Sequence, residues 1–115
     1  MPMIKVIIER RVAEGLESVY QDTIRNLMLQ ITERPGFLKG DAYRDVHHPN
    51  HFYVISNWQS IESWEHWQNS SQRQRLLTEL APLLEQDEKC TVLALKVSYE
   101  AKPSKFARPT QTYTY

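Results

Sequence analysis

The sequence predicts an α+β fold, a four-stranded antiparallel sheet with its helices on one face. Apolar residues alternate at a two-residue step in the opening segment, and three later segments also read as strands. Two intervening stretches show the three- and four-residue spacing of a helix that buries one side. Turn residues punctuate the boundaries, and 115 residues with 41% apolar content suffice for one compact domain.

The first strand is expected in "MIKVIIERRV", where Ile4, Val6 and Ile8 share a side. A helix follows in "GLESVYQDTIRNLMLQITER", with Leu16, Val19, Tyr20, Ile24, Leu27, Met28 and Ile31 on its apolar face. It must end near Arg34, because Pro35 disfavours helical geometry in the residue before it and Gly36 supplies a permissive turn. "FLKGDAYRDV" and "HFYVISNW" read as an antiparallel hairpin turned by "HHPN". Ser60 is placed to cap a helix over "SIESWEHWQN". After a break at "NSS", Ser71 and Gln74 have capping-box spacing, and Leu76, Leu77, Leu80, Leu83 and Leu84 form a second apolar face that Pro82 bends or ends. "KCTVLALKVSYE" is the last strand. The order βαββαβ is the ferredoxin-like unit, whose right-handed crossovers put both helices on one sheet face. The expected organisation is a domain over residues 1–100 and a C-terminal arm over 101–115.

The strand residues divide into two sets. Ile4, Val6, Ile8, Phe52, Val54, Trp58, Val92 and Ala94 fall on one side, and Ile7, Tyr53, Ile55, Leu93, Leu95 and Val97 on the other. Neither set is reliably polar, and two helical regions can cover only one face, so a second subunit is the expected cover of the other. The arm "AKPSKFARPTQTYTY" offers Phe106, Tyr113 and Tyr115 as anchors, and its "TQTYTY" alternation suits an edge strand docked on that partner.

Fourteen basic residues balance fourteen acidic ones, which argues against a nucleic-acid partner. No apolar run is long enough to span a bilayer and the start lacks a secretory pattern, so no membrane partner and a cytoplasmic location are expected. Cys90, the single cysteine, reads as a structural thiol.

The segment "RPGFLKGDAYRDVHHPNHFYVISNWQSIESWEHWQNS" resembles the antibiotic biosynthesis monooxygenase domain. Pro35, Gly36 and Phe37 match its turn into strand two, and Trp58, Ser60 and Trp67 its passage from strand three into the next helix. The resemblance spans about residues 3–99 and implies a dimeric α+β barrel. It also implies a cofactor-independent monooxygenase acting on a small aromatic or quinol-like compound with molecular oxygen. In such chemistry the substrate reduces oxygen after losing a proton, so the protein binds a flat aromatic and stabilises its anion. The alternative is a non-catalytic dimeric small-molecule-binding or stress-response module of the same fold.

By the same resemblance, the end of strand three opens into a cavity between sheet and helices, which makes Trp58 and Asn57 the first catalytic candidates. Neighbours on a strand point to opposite faces, so only one can line a given cavity unless the strand bulges. Trp58 is taken as the wall and Asn57 as a donor, with a packing anchor as the competing role for Trp58. Trp64 and Trp67 share a helix, and at least one belongs to the core. Trp67 is kept as a substrate-binding candidate. His51 begins strand three and Tyr43, Arg44 and Tyr53 flank the same hairpin, so a base or anion stabiliser is sought among them. His47, His48 and His51 match no usual zinc spacing, and no metal is expected. The haem-degrading branch of the superfamily carries an axial histidine where this chain reads "SQRQRLL", and no histidine follows His66, so no haem is expected.

Overall fold

The computed structural model describes residues 2–103. Its elements are β1 (Ile4–Arg11), α1 (Glu17–Ile31), β2 (Phe37–Arg44), β3 (His51–Trp58), α2 (Ile61–Gln68), α3 (Ser71–Leu80), a 3-10 turn (Ala81–Leu83) and β4 (Lys89–Ala94). The strands form one antiparallel sheet in the order β2-β3-β1-β4, the ferredoxin-like arrangement.

Local sequence explains the element ends. Ser60 caps α2 by accepting from Ser63 N at 3.2 Å, and Ser70 caps α3 by accepting from Arg73 N at 3.2 Å. The second cap lies one residue before the Ser71 expected from the capping-box spacing, because Asn69 still belongs to the end of α2. Pro82 sits inside the 3-10 turn, where its missing N–H costs nothing. Gly36 adopts φ +82°, and a Cβ there would overlap the Ser63 hydroxyl. The turn entering β2 is thus wedged against the start of α2, and Gln59 N donates to Gly36 O at 2.8 Å.

Register settles the faces. Ile4, Val6 and Ile8 lie opposite Trp58, Ser56 and Val54, and all six are buried under the helices. Tyr20, Ile24, Leu27 and Ile31 of α1 and Trp64, Trp67, Leu76 and Leu80 of α2 and α3 meet them. Val92 pairs with Val6 and shares that face, yet is 41% exposed because β4 is an edge strand. On the other face Ile7, Tyr53 and Ile55 are half-buried and Leu93 is exposed, so the apolar second face lies open in the single chain.

The last strand is shorter than "KCTVLALKVSYE" suggests. It stops at Ala94, which pairs with Ile4, the first residue of β1. One further bond, Leu95 N to Met3 O at 3.1 Å, closes the ladder. Leu95, Val97 and Tyr99 are exposed beyond it. The arm expected to dock through Phe106, Tyr113 and Tyr115 lies, from residue 104 onward, outside the described residues.

A charged cluster is built into the helix side. Arg10 of β1 and Arg73 of α3 are 3% and 2% exposed and share the carboxylate of Glu88. Arg10 Nε donates to Glu88 Oε1 at 3.0 Å, Arg10 Nη1 donates to the Tyr20 hydroxyl at 3.2 Å, and Arg73 Nη2 donates to Glu88 Oε2. Burial alone would raise the Glu88 pKa, but the attraction of Arg10 and Arg73 holds the carboxyl below its usual range. Burial, reinforced by the Glu88 charge, pushes the Cys90 thiol up, consistent with the inert thiol expected.

Two outcomes follow for stability. Gly36→Ala should cost about 2–4 kcal/mol, combining backbone strain with overpacking, whereas Gly15→Ala, at φ +89° with open space around it, should lose only the backbone part of about 1 kcal/mol. Urea unfolding of the pair checks this, and equal losses would remove the wedge. Glu88→Gln should cost about 3–5 kcal/mol at neutral pH by stranding two buried cations. Because the folded-state pKa of Glu88 is depressed, its contribution is present above the unfolded value and lost as pH falls through the folded one. The wild type should therefore weaken below the ordinary carboxyl pKa of 4.5 more steeply than the variant, as read by denaturation between neutral pH and about pH 3.

Candidate functional site

The sheet's helix face does not close completely. Between α1 and the β2–β3 hairpin lies a cleft of about 580 Å³, within the range of small-molecule sites. Tyr20, Ile24 and Met28 of α1 form one wall, Ala42 and Arg44 of β2 the other, and Phe52 of β3 the floor. The cleft follows from side-chain size. Ala42 lies opposite Val54 and faces the helices, but leaves room where a larger residue would fill the gap to α1. Gly40, two residues earlier on the same side, admits the end of Met28 onto the strand beside Phe37, which closes the cleft in that direction.

Its chemistry is aromatic with cationic rims. The Tyr20 and Phe52 rings sit 4.7 Å apart at 48°, and the Arg44 guanidinium lies over Phe52 at 5.8 Å. Arg25 lines the exposed side. Burial raises the Tyr20 pKa against the opposing pull of Arg10, so its phenol is neutral at physiological pH. Among the described residues, no carboxylate and no imidazole lines this cleft.

The expected site residues separate into four places. Tyr43, Arg44 and Tyr53 all border the cleft, although Tyr43 and Tyr53 pair across the hairpin on the sheet's opposite side. His51 stands outside it, on a polar hollow of about 250 Å³ shared with Glu9, Arg11, Tyr53 and Lys89. Asn57 faces away from the helices between Lys5 and Lys39, beside a hollow of about 450 Å³ formed with Leu93 to Ser98.

Trp58 and Trp67, expected as cavity wall and ligand contact, lie in the packed core and do not border the cleft. Trp58 is 0% exposed, meets Phe37 edge-on at 5.3 Å and Trp64 at 5.8 Å, and donates its indole N–H to Ser56 Oγ at 3.0 Å. Trp67 is buried beneath the Arg34 guanidinium at 5.3 Å. The physical reason is the shared end of the sheet: a two-residue link joins β3 to α2, so Trp64 falls onto Trp58 and Trp67 is buried in the same core. Tyr20, Met28, Ala42 and Phe52 were not singled out as site residues from sequence. The signal available was the small pair Gly40 and Ala42 facing large apolar residues of α1.

A model of the antibiotic biosynthesis monooxygenase family matches residues 3–79. The chain belongs to that family. No curated protein matches it at a significant level. Among solved structures it is similar to a conserved protein of Methanosarcina mazei, with TM-score 0.78 and 14% identity over 84% of this chain and 95% of that one. A Pseudomonas aeruginosa protein matches with TM-score 0.74 and 23% identity over 84% and 97% of the two chains. SnoaB, a cofactor-independent oxygenase of Streptomyces nogalater solved in a point-mutant form, matches with TM-score 0.76 and 12% identity over 85% and 97%. At these identities the likenesses establish the shared fold. No helix among the described residues is long and apolar enough to cross a membrane.

The packing role of Trp58 has a measurable consequence. Trp58→Ala should destabilise by about 3–5 kcal/mol in urea unfolding, with any loss of ligand binding restored at low temperature or with stabilising osmolyte. A variant of unchanged stability that has lost binding would return Trp58 to the site.

Proposed function

We propose that the protein is a cofactor-independent monooxygenase that oxidises a small aromatic or quinol-like compound in the α1 cleft, working as a homodimer. The observation that carries this reading is the cleft itself, walled by α1 and floored by the contacting Tyr20 and Phe52 rings, with the Arg44 guanidinium at its rim. Family membership and the fold shared with an oxygenase that uses no cofactor support it.

In this reading the flat substrate enters over Phe52 with its acidic C–H or O–H group toward Arg44. The guanidinium stabilises the anion and so lowers the substrate's pKa. With no carboxylate or imidazole among the described residues that line the cleft, the proton leaves to water, which restricts substrates to acidic phenols and activated methylenes. The anion then passes electrons to oxygen and a C–O bond forms, giving a hydroperoxide. Loss of water leaves a carbonyl, so an activated CH2 and one O2 become C=O and H2O. The apolar floor keeps bulk water from the reacting carbon. Tyr43 and Tyr53 offer phenol donors at the edge. Asn57 and His51 lie outside the cleft, so a part for them as donor and base would be played at the hollows they border.

The missing general base also favours a second reading, a dimeric module that binds an aromatic without turning it over. Oxygen uptake with a panel of anthrones, naphthols and quinols separates the two. Oxygenase activity should give one O2 consumed per carbonyl formed, and Arg44→Leu should lower it by about 10–100-fold, the worth of one charge-assisted hydrogen bond. Ala42→Phe, which fills the slot, should abolish both turnover and binding while changing stability by no more than about 1 kcal/mol. Binding without oxygen uptake selects the module. Full activity in Ala42→Phe places the chemistry elsewhere.

A further inference from the structure

The β2–β3 turn assembles a group of side chains that the proposed reaction does not use. Asp45, His48 and His51 each place one ligand atom within 4.8 Å of the others. We propose that this turn is a binding site for a late first-row divalent cation of the Zn2+ or Ni2+ class, held by the Asp45 carboxylate and the imidazoles of His48 and His51.

Backbone hydrogen bonds hold the turn that carries the three donors. Asp45 Oδ1 accepts from His47 N at 2.8 Å and from His48 N at 2.9 Å, so the carboxylate is held over its own turn. Asp45 N donates to His51 O at 2.9 Å, and His51 N donates to His48 O at 2.9 Å. These bonds tie the first, fourth and last residues of the loop together, and Pro49 stiffens the path between the two histidines. His48 Nδ1 lies 3.1 Å from Asp45 Oδ1, and the His48 and His51 rings are nearly parallel at 16° with centroids 5.0 Å apart. A rigid loop thus presents a carboxylate and two imidazoles together, which lowers the ordering cost of binding.

The donor set selects the ion. Two imidazole nitrogens with one carboxylate suit zinc, nickel or copper, whereas calcium and magnesium demand oxygen shells. Donors on one tetrahedral zinc are roughly 3.4 Å apart, so the wider gaps among the three must close by roughly an ångström, which side-chain rotation of the exposed His48 and the half-buried Asp45 and His51 allows. Three protein ligands leave coordination positions for water. Sequence reading expected no metal because it weighed the spacing of His47, His48 and His51 alone. The third donor is Asp45, which the turn brings back to the histidines, while His47 stands outside the group.

Calorimetric titration of untagged, chelator-treated protein with ZnCl2 and NiCl2, and with MgCl2 for comparison, tests the site. One transition-metal ion should bind per chain and magnesium should not. His51→Ala and Asp45→Asn should each weaken binding tenfold or more. The asparagine keeps an acceptor for the two backbone N–H groups, so its loss reports ligation rather than collapse of the turn. His47→Ala should leave the affinity unchanged. Absence of saturable one-to-one binding overturns the site, as does Asp45→Asn with wild-type affinity or His47→Ala weakening as much as His51→Ala.

Discussion

One carboxylate, Glu88, organises the helix side of this fold. It lies between two guanidiniums that are almost fully buried, Arg10 on the central strand β1 and Arg73 on α3, and Arg10 also reaches Tyr20 on α1. Two buried cations with one anion would cost several kcal/mol per ion without close pairing, and a packed apolar trio would be at least as stable. What the cluster contributes is position. It ties α1, β1, α3 and the approach to β4 through directional bonds, whereas apolar contacts alone would let helices slide on the sheet. Because Tyr20 is also a wall of the cleft, the same cluster sets the site's aromatic wall from behind.

The two ends of the helix–sheet interface are filled differently. At the Trp58 end, Trp58 packs edge to face with Phe37 and Trp64, Trp67 is buried in the same core, and Gly36 lets the β2 turn press against Ser63. Toward the Phe52 end, roughly 20 Å from Trp58 along β3, β2 carries the small Ala42 opposite Val54, while Gly40, opposite Ser56, is covered by the end of Met28. The tryptophans fill one end of the helix–sheet interface, and Ala42 leaves the gap to α1 unfilled at the other. Cleft and core are therefore consequences of one distribution of side-chain volume, and enlarging Ala42 closes the first without disturbing the second.

Element order and type were legible because period and punctuation agreed at every boundary: Pro35-Gly36 before β2, Ser60 before α2, and the alternation of Ile4, Val6 and Ile8. The length of β4 was not, since alternation continues through Leu95 and Val97 while its partner strand has run out at Ile4. The tryptophans point to the Trp58 end of β3, which is packed solid, whereas the cleft opens toward its Phe52 end. Sequence marks large aromatics but cannot tell a filled space from an open one, because a pocket is a property of what the opposite element lacks. That Arg44, Tyr43 and Tyr53 lie near one another was legible because hairpin position alone places them together. Asp45 was missed because its association with His48 and His51 depends on a turn geometry that spacing does not encode.

The short β4 bears on how the open sheet face would be used. Ile7, Ile55 and Leu93 leave an apolar strip there, and Leu95 and Val97 extend it beyond the last strand pair. An extended segment with free backbone groups and exposed apolar side chains can add to a neighbouring sheet edge, so this strip is the natural seat of the proposed partner subunit. The cleft lies on the other side of the same sheet, and the two surfaces meet at the β2–β3 hairpin, where Tyr43 and Tyr53 face the open side yet border the cleft. A partner covering the open face would therefore touch the cleft through those two tyrosines while leaving the Arg44 rim free, so that the proposed dimer would shape the edge of the cleft without blocking entry to it.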